Sequence, residues 1–513
     1  MNDNQHKERF IKILKSIVVD VLKKTTAHGI PSLLQDIHIV MKVIWAFCIL
    51  LSSCACFYLI SIGFISYYRY DTYISSTTIQ EIPTNFPAIT ICNTKFLNKV
   101  KAETYINKSV DIQKDFARIT PLSKNLEVYG QYFWKAFIES YILQTAVSRD
   151  SNLTTSERIS LGFELSDMLL FCRFNWKTCN QSDFSFIFNS FYGNCYTFNG
   201  ENTVNGSTLE IKKVSEPSAS NGLSLELFTG NPNVQSQNEF KSDGFFVFIH
   251  NQSNPSLLNS KSILVPTGAE TNLKVKRNFI SRLSSPYGNC LSDVSIASEF
   301  SSQSFDYIVK TLYVAYTQEF CYSICLQSKI VNVCNCNAWY LPSYGNQSLC
   351  SSTNECWKST HYLVTRNNLS IINDCVSQCP LECNSIEYEV STSSLAFPNR
   401  YYRTLLAQTS AIKSANVSLD DINSSVLRFN LFYETLAYTI QRETASMDAF
   451  TIMSNFGGTL GLFLGVSFLS FIELFELVYR LLHAIIEARL ALKVKNEFEF
   501  INDNLKKNGK SLA

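Results

Sequence analysis

Two carboxylates, Glu473 and Glu476, stand three residues apart at the end of an otherwise uncharged apolar run that begins after Asp448. An ionised carboxylate facing lipid is costly, so acids at such a depth signal function: lining water, they attract cations and repel anions. The plainer alternative is that both sit at headgroup level as ordinary helix-end charges. The same run carries Gly457, Gly458, Gly461 and Gly465. Spacing of four puts three of these on one helix face, where neighbouring helices can approach closely. Ser454 and Asn455 lie at the start of the run and offer polar groups to a vestibule. Gly-x-Ser-x-Gly, His-Glu-x-x-His and phosphate-binding loops are all missing from the sequence, so an enzyme is not expected, nor a cofactor or resident metal.

The elements that position these residues begin with the apolar runs themselves. The chain has 513 residues, 46% of them hydrophobic. Its mean hydropathy of +0.01 hides two concentrated segments. Val43 to Ile65 contains no charge and exceeds the roughly 20 residues a helix needs to cross a bilayer. Some forty residues with charges precede it, unlike the short basic start of a removable signal peptide. The expected organisation is therefore a cytoplasmic N-terminus (1–42), a first transmembrane helix (43–66), an extracellular domain (67–446), a second, pore-lining helix (447–480) and a cytoplasmic C-terminus (481–513).

Topology follows from charge and sequons. Seven Lys/Arg against four acids occur in residues 1–42, and the same counts recur in residues 480–513, which places both ends in the cytoplasm. Asn-x-Ser/Thr occurs at Asn107, Asn152, Asn180, Asn205, Asn251, Asn346, Asn368, Asn416 and Asn423, all between the spans, as expected for glycosylation of an outside domain. Of 17 cysteines, Cys48, Cys54 and Cys56 fall in the first run and the remaining 14 in the expected extracellular domain, an even number that reads as a disulfide framework. A zinc cluster around Cys334 and Cys336 is the rival reading, but no His pair accompanies it. The spacing of four in Cys321/Cys325 and again in Cys375/Cys379 lets two helices or turns join as rungs of a stiff ladder.

Within this domain, Gly244–His250 and Tyr307–Tyr316 are rich in β-branched and aromatic residues and predict strands. The stretch near 147–172 mixes loop and helix signals. The Ser/Asn/Gly-rich run from Ser215 to Gln237 predicts a long loop or irregular strand connections. The expected class is a membrane protein with two transmembrane helices flanking a large disulfide-rich α+β ectodomain.

Several motifs, in order, give the chain a specific resemblance. They are His28-Gly29 in TTAHGIP, FPAITICN (86–93), MLLFCRF (168–174), GNCYTFN (193–199), SPYGNC, CYSIC, VCNCNAWYLP, CPLECN and SNFGGTLGLFLGVSFLSFIELFELVYR. With them the chain resembles the degenerin/epithelial sodium channel superfamily, in its acid-sensing and peptide-gated branch, over nearly its whole length. The resemblance implies a trimeric, amiloride-sensitive channel of the plasma membrane, homomeric or built with related subunits, with sodium as the permeant ion and no nucleic-acid partner. It implies a selectivity filter at Gly465-Val466-Ser467, with Ser454, Asn455, Gly461, Glu473 and Glu476 along the pore. His28 and Gly29 would form a re-entrant loop below it. Tyr70 and Tyr287 match an aromatic pair that couples ectodomain to pore; the family often has Trp at the second position. The implied bridges are Cys92–Cys195, Cys172–Cys179, Cys290–Cys383, Cys321–Cys379, Cys325–Cys375, Cys334–Cys356 and Cys336–Cys350.

The stimulus is less legible. Acid-sensing members carry a His pair after the first span, where this chain has Asp71-Thr72, and only His250 and His361 lie in the ectodomain. Proton gating is thereby disfavoured, although clustered carboxylates can titrate in the same range. An extracellular ligand such as a neuropeptide is the leading expectation, ahead of proton, mechanical or constitutive opening. The rival classes are an accessory heteromeric subunit, an ATP-gated receptor, against which the filter motif and FPAITICN argue, and a membrane-anchored ectodomain without transport.

Overall fold

The structure is a computed structural model that describes residues 2–27, 29–34, 38–108, 146–147, 150, 153–189, 191–200, 210–234, 242–252, 261–291, 302–312, 316–338, 340–350, 356 and 369–508. His28 and the sequon residues Asn152, Asn205 and Asn368 lie outside them, as does His361. The chain divides into two units, Met1–Tyr73 with Ala445–Ala513, and Ile74–Thr444.

In the second unit an eight-stranded mixed sheet runs in the order Thr72–Gln80, Ala437–Ala445, Ala269–Ser281, Val426–Tyr433, Leu223–Phe228, Leu169–Phe174 and Lys177–Thr178, with Asn384–Ala396 also paired to Ala269–Ser281. Five further strands form a second sheet, ordered Ser262–Pro266, Gly244–His250, Ala88–Asn93, Gly193–Phe198 and Phe184–Asn189. One cluster of buried residues from both sheets, including Phe86, Phe198, Leu223, Leu225, Phe245 and Phe429, makes the main core. Gly244–His250 is thus a strand, as its composition predicts, and Val247 is paired to Ile91 on one side and Ile263 on the other.

Two local expectations need correction. Leu223–Phe228, inside the run read as a loop or irregular connections, is a wholly buried strand between two partners. Its Leu223, Leu225 and Leu227 feed the core, while Ser224 donates to Asn430 Oδ1 at 2.7 Å and Glu226 accepts from the Tyr402 hydroxyl at 3.0 Å. Polar residues in a central strand hid it from composition, and partners on the opposite face are what make them tolerable. Of the run Tyr307–Tyr316, residues 313–315 lie outside the described residues, and the part from Tyr307 to Leu312 is not a strand: a short helix, Gln303–Asp306, continues into a π-helical stretch, Tyr307–Leu312. Ser302 caps it by accepting from the Phe305 N–H, and Phe305 and Ile308 pack against Cys321, Ile324 and Cys325. Tertiary packing outweighs β propensity there.

Seven disulfides staple this unit: Cys92–Cys195, Cys172–Cys179, Cys290–Cys383, Cys321–Cys379, Cys325–Cys375, Cys334–Cys356 and Cys336–Cys350. The helices Gln318–Cys334 and Leu369–Gln378 carry the two rungs with Cα separations of 5.6 Å each, and all four of those cysteines are fully buried. The first of these helices stops at Asn335, whose left-handed backbone (φ +52) turns the chain into the next pair of bridges.

The other unit is helical. Asn2–Lys24 and the short Ile30–Leu34 precede a long helix, Ile39–Tyr68, and the C-terminal part holds Ala449–Leu464 and Phe468–Asn508. The 39–68 helix is long and apolar enough to cross a membrane, and Ala449–Leu464 with Phe468–Ala491 are so together although bent by 75°. The apolar helix therefore runs a few residues past each end of the 43–66 span read from sequence. Phe64 and Phe456 meet with ring centroids 4.5 Å apart, joining the 39–68 and 449–464 helices. Cys48, Cys54 and Cys56 are unbridged.

Candidate functional site

The break between the C-terminal helices falls at Gly465-Val466-Ser467. Asp448 starts the first helix by accepting from the Thr451 N–H at 2.7 Å, and Gly465 ends it in a left-handed conformation (φ +65) that only glycine adopts without strain. The Gly465 and Val466 N–H groups donate to the Gly461 and Leu460 carbonyls, so the helix end is satisfied although the helix does not continue. Ser470 then begins the next helix: its N–H donates to the Ser467 carbonyl at 3.0 Å and its hydroxyl accepts from the Ser467 N–H at 3.1 Å. Three residues of non-helical backbone thus interrupt an apolar helix pair, an arrangement tolerated at membrane depth only beside water or protein.

Among the described residues, the glycine face above the break meets no partner. A Cβ added at Gly457 or Gly458 would meet nothing within 4 Å, and one at Gly461 would reach only the Val466 carbonyl at 4.0 Å. Ser454 and Asn455 are likewise exposed, and the Asn455 carbonyl accepts from the Thr459 hydroxyl at 2.7 Å.

Below the break both carboxylates are engaged. Glu473 accepts from the Thr25 hydroxyl at 2.7 Å and from the Thr26 N–H at 3.0 and 3.2 Å. Glu476 pairs with Arg480 one turn along, and Arg480 also reaches Asp20 at 3.4 Å, itself paired with Lys24 at 3.0 Å. Gly29 is buried with φ +86, and an added Cβ would lie 2.9 Å from Ile49 and 3.5 Å from Trp45 of the 39–68 helix. Thr25 and Thr26 are therefore held by Glu473, and Gly29 lies against the 39–68 helix. Thr25, Thr26, Ser470 and Arg480 were not singled out by sequence. Arg480 was discoverable from its spacing of four to Glu476; nothing in composition marks the hydroxyls.

Tyr70 closes the 39–68 helix with φ +54, and Tyr287 follows a cis Ser285-Pro286 bond, its N–H donating to the Ser284 carbonyl at 3.1 Å. The loop that carries Tyr287 is pinned at its root, where the Glu443 carboxylate accepts from the Leu283 N–H at 3.0 Å.

In the sheet unit the ionisable groups are structural. Arg277 is buried between the rings of Tyr433, Tyr438 and Phe279, 5.0, 5.1 and 5.9 Å from its guanidinium carbon, and pairs with Glu81 at 3.0 Å. A hydrogen bond from Thr84 and then the Arg277 guanidinium hold the Glu81 carboxyl below its ordinary range. His250 lies with Nε2 2.8 Å from Thr90 Oγ1 and Nδ1 2.8 Å from the Asn251 carbonyl, and burial pushes its pKa down from 6.5. Burial raises the Glu226 carboxyl, against the opposing pull of Tyr402 and Arg428. Among the described residues, no group of three or more His, Cys, Asp or Glu is arranged to hold a metal.

A family model described as amiloride-sensitive sodium channel matches residues 21–477. The human epithelial sodium channel subunit alpha is 28% identical over 325 residues, which are 62% of this chain and 45% of that one. The chain thus spans about half the length of these curated relatives. The mouse bile acid-sensitive ion channel is 25% identical over 471 residues, 89% of this chain and 86% of that one. A solved cryo-EM structure of a proton-activated chloride channel covers 88% of this chain and 98% of its own at TM-score 0.31 and 6% identity, a likeness too slight to build on.

Proposed function

Since the chain belongs to the amiloride-sensitive sodium channel family, we propose that it is a subunit of a sodium-selective, amiloride-sensitive channel in the plasma membrane, opened by an extracellular ligand such as a neuropeptide. The carrying observation is the break at Gly465-Val466-Ser467 within an apolar helix pair. Two spans would put both termini on one side, the excess of Lys and Arg at each end favours the cytoplasm, and three copies, alike or related, would bring the break to one axis. Backbone carbonyls and the Ser467 hydroxyl there replace part of a sodium ion's hydration shell. Ser454 and Asn455 line the outer vestibule, and the unpartnered faces of Gly457, Gly458 and Gly461 meet the neighbouring copies or the water of the pore.

Ligand opening is favoured over proton opening because His250 sits in a strand with both ring nitrogens engaged and its pKa depressed, a poor sensor near neutral pH. The name of the bile acid-sensitive relative adds an amphipathic small molecule to the panel worth trying. The test is voltage clamp of cells expressing the chain, alone and with related subunits, under acid, amidated neuropeptides, a bile acid and amiloride. A sodium-selective current that amiloride blocks supports the reading. Surface-expressed protein that carries no current in any combination or condition contradicts it.

A further inference from the structure

Four sequons are described through both the asparagine and its hydroxyl residue: Asn180 with Ser182, Asn346 with Ser348, Asn416 with Ser418 and Asn423 with Ser425. N-linked transfer joins the asparagine Nδ2 to the anomeric carbon of a lipid-pyrophosphate-linked oligosaccharide. The bond from that carbon to the pyrophosphate oxygen breaks, the lipid pyrophosphate leaves, and Nδ2 gives up one proton. The folded chain must then hold a bulky polar group at that nitrogen. A sequon is therefore usable only where its carboxamide faces water.

Three of the four meet this condition. Asn180 directly follows the Cys172–Cys179 bridge and is exposed, as is Ser182. Its Oδ1 accepts from the Ser182 N–H at 2.9 Å and the Ser182 hydroxyl at 2.6 Å, which leaves Nδ2 unengaged. Asn346 and Ser348 are exposed in the loop closed by Cys336–Cys350. The backbone there is anchored by Asn337, whose Nδ2 donates to the Gln347 carbonyl and whose N–H donates to the Ser348 carbonyl, both at 2.8 Å. Asn416 is exposed in a left-handed conformation (φ +49) just past the helix Ser410–Ser414, its carbonyl accepting from Asn231 Nδ2 at 3.2 Å, and Ser418 is exposed as well. In each case the backbone is fixed and the asparagine side chain stands in water.

Asn423 is close by in sequence and opposite in placement. It lies on the short helix Ile422–Ser425, both of whose end residues are fully buried, and its Oδ1 is enclosed without a hydrogen-bond partner. Ile422 packs with Phe228, Leu406 and Ile412. The Ser425 hydroxyl is withdrawn too, donating to the Ile422 carbonyl at 3.0 Å, while the Ser425 carbonyl accepts from the Thr229 N–H at 2.8 Å. On another side, a Cβ added at Gly268 would come within 3.0 Å of the Asn423 carbonyl. Close packing leaves no room for a sugar.

We propose that Asn180, Asn346 and Asn416 carry N-linked glycans and that Asn423, despite its sequon, carries none in the folded chain. Copies glycosylated at Asn423 before folding cannot seat Ile422 and Ser425, and they do not reach the cell surface.

The assignment rests on the reading that puts this unit outside the cell, and its test separates the two. The wild-type full chain is captured by surface biotinylation, and peptide-N-glycosidase in heavy-oxygen water then labels every asparagine that bore a glycan. Mass spectrometry should find label at positions 180, 346 and 416 and none at 423. Label at 423 together with the others overturns the selection and leaves the outside placement standing; an unlabelled 180, 346 or 416 overturns the assignment of that site. Label at none of the four in surface-captured protein contradicts the placement and the proposal together. On a gel, Asn416→Gln should run faster than the wild type by one glycan, and Asn423→Gln should run with it. A faster Asn423→Gln band from surface protein would again overturn the selection.

Discussion

The two units are stabilised by opposite means. The sheet unit closes on itself: a core with Phe86, Phe198, Phe245 and Phe429 fully buried, seven disulfides, and a guanidinium enclosed by three rings. In the helical unit Cys56 is the only buried hydrophobic among the described residues, and large apolar side chains such as Phe47, Leu462, Phe468 and Phe475 stand exposed. Its definition comes from polar contacts at helix ends and breaks. A unit that is apolar outside and polar at its joints expects lipid or other copies around it, and it can move at those joints without breaking a core.

The comparison can be broken first at the staples. Replacing Cys325 and Cys375 together by Ser should cost about 2–5 kcal/mol and abolish surface expression, measured by surface biotinylation. Next, Arg277→Ala removes a buried cation and leaves its pocket of rings empty and Glu81 unpaired. About 3 kcal/mol should be lost, seen as a lowered midpoint in thermal unfolding of the detergent-solubilised chain. Gly29→Ala meets both a left-handed backbone and Ile49, costing roughly 1–3 kcal/mol at that turn. It should reduce amiloride-sensitive current while leaving the unfolding of the sheet unit unmoved, a result that sharpens the separation of the units.

A smaller effect concerns acid. The native pKa of His250 is depressed, so its contribution is complete above about pH 6.5 and is lost as pH falls, where the unfolded chain takes up the proton first. Stability of the wild type should decline below pH 6.5 with a slope of at most about 1.4 kcal/mol per pH unit from this residue, and His250→Gln should flatten the slope. Smallest of all for a single chain is Gly457→Ala: with open space at its Cβ, folding should shift by less than about 0.5 kcal/mol. A weakened oligomer on a native gel with folding intact would show that another copy covers that face.

Much of this organisation was legible in the sequence. Uncharged length marked the apolar helix, and the spacing Cys321/Cys325 and Cys375/Cys379 carried the ladder because helix periodicity fixes which sulfurs share a face. What stayed hidden depends on tertiary contact. Leu223–Phe228 looks like loop because its Ser224 and Glu226 are satisfied only by distant Asn430 and Tyr402. Tyr307–Leu312 looks like strand by its β-branched composition, but Ile308 is recruited into the cluster of Cys321, Ile324 and Cys325 on the neighbouring helix. The engagement of Glu473 by Thr25 and Thr26, nearly the whole chain apart, has no local signature at all.

The central claim is that the break at Gly465–Ser467 selects the ion. Its most direct test is the reversal potential of the amiloride-sensitive current under sodium outside and potassium inside, compared between the wild type and Ser467→Cys. A wild-type potential on the sodium side that moves toward zero in the variant is the predicted result. An unchanged potential in a variant that still conducts would place selectivity elsewhere and contradict the account.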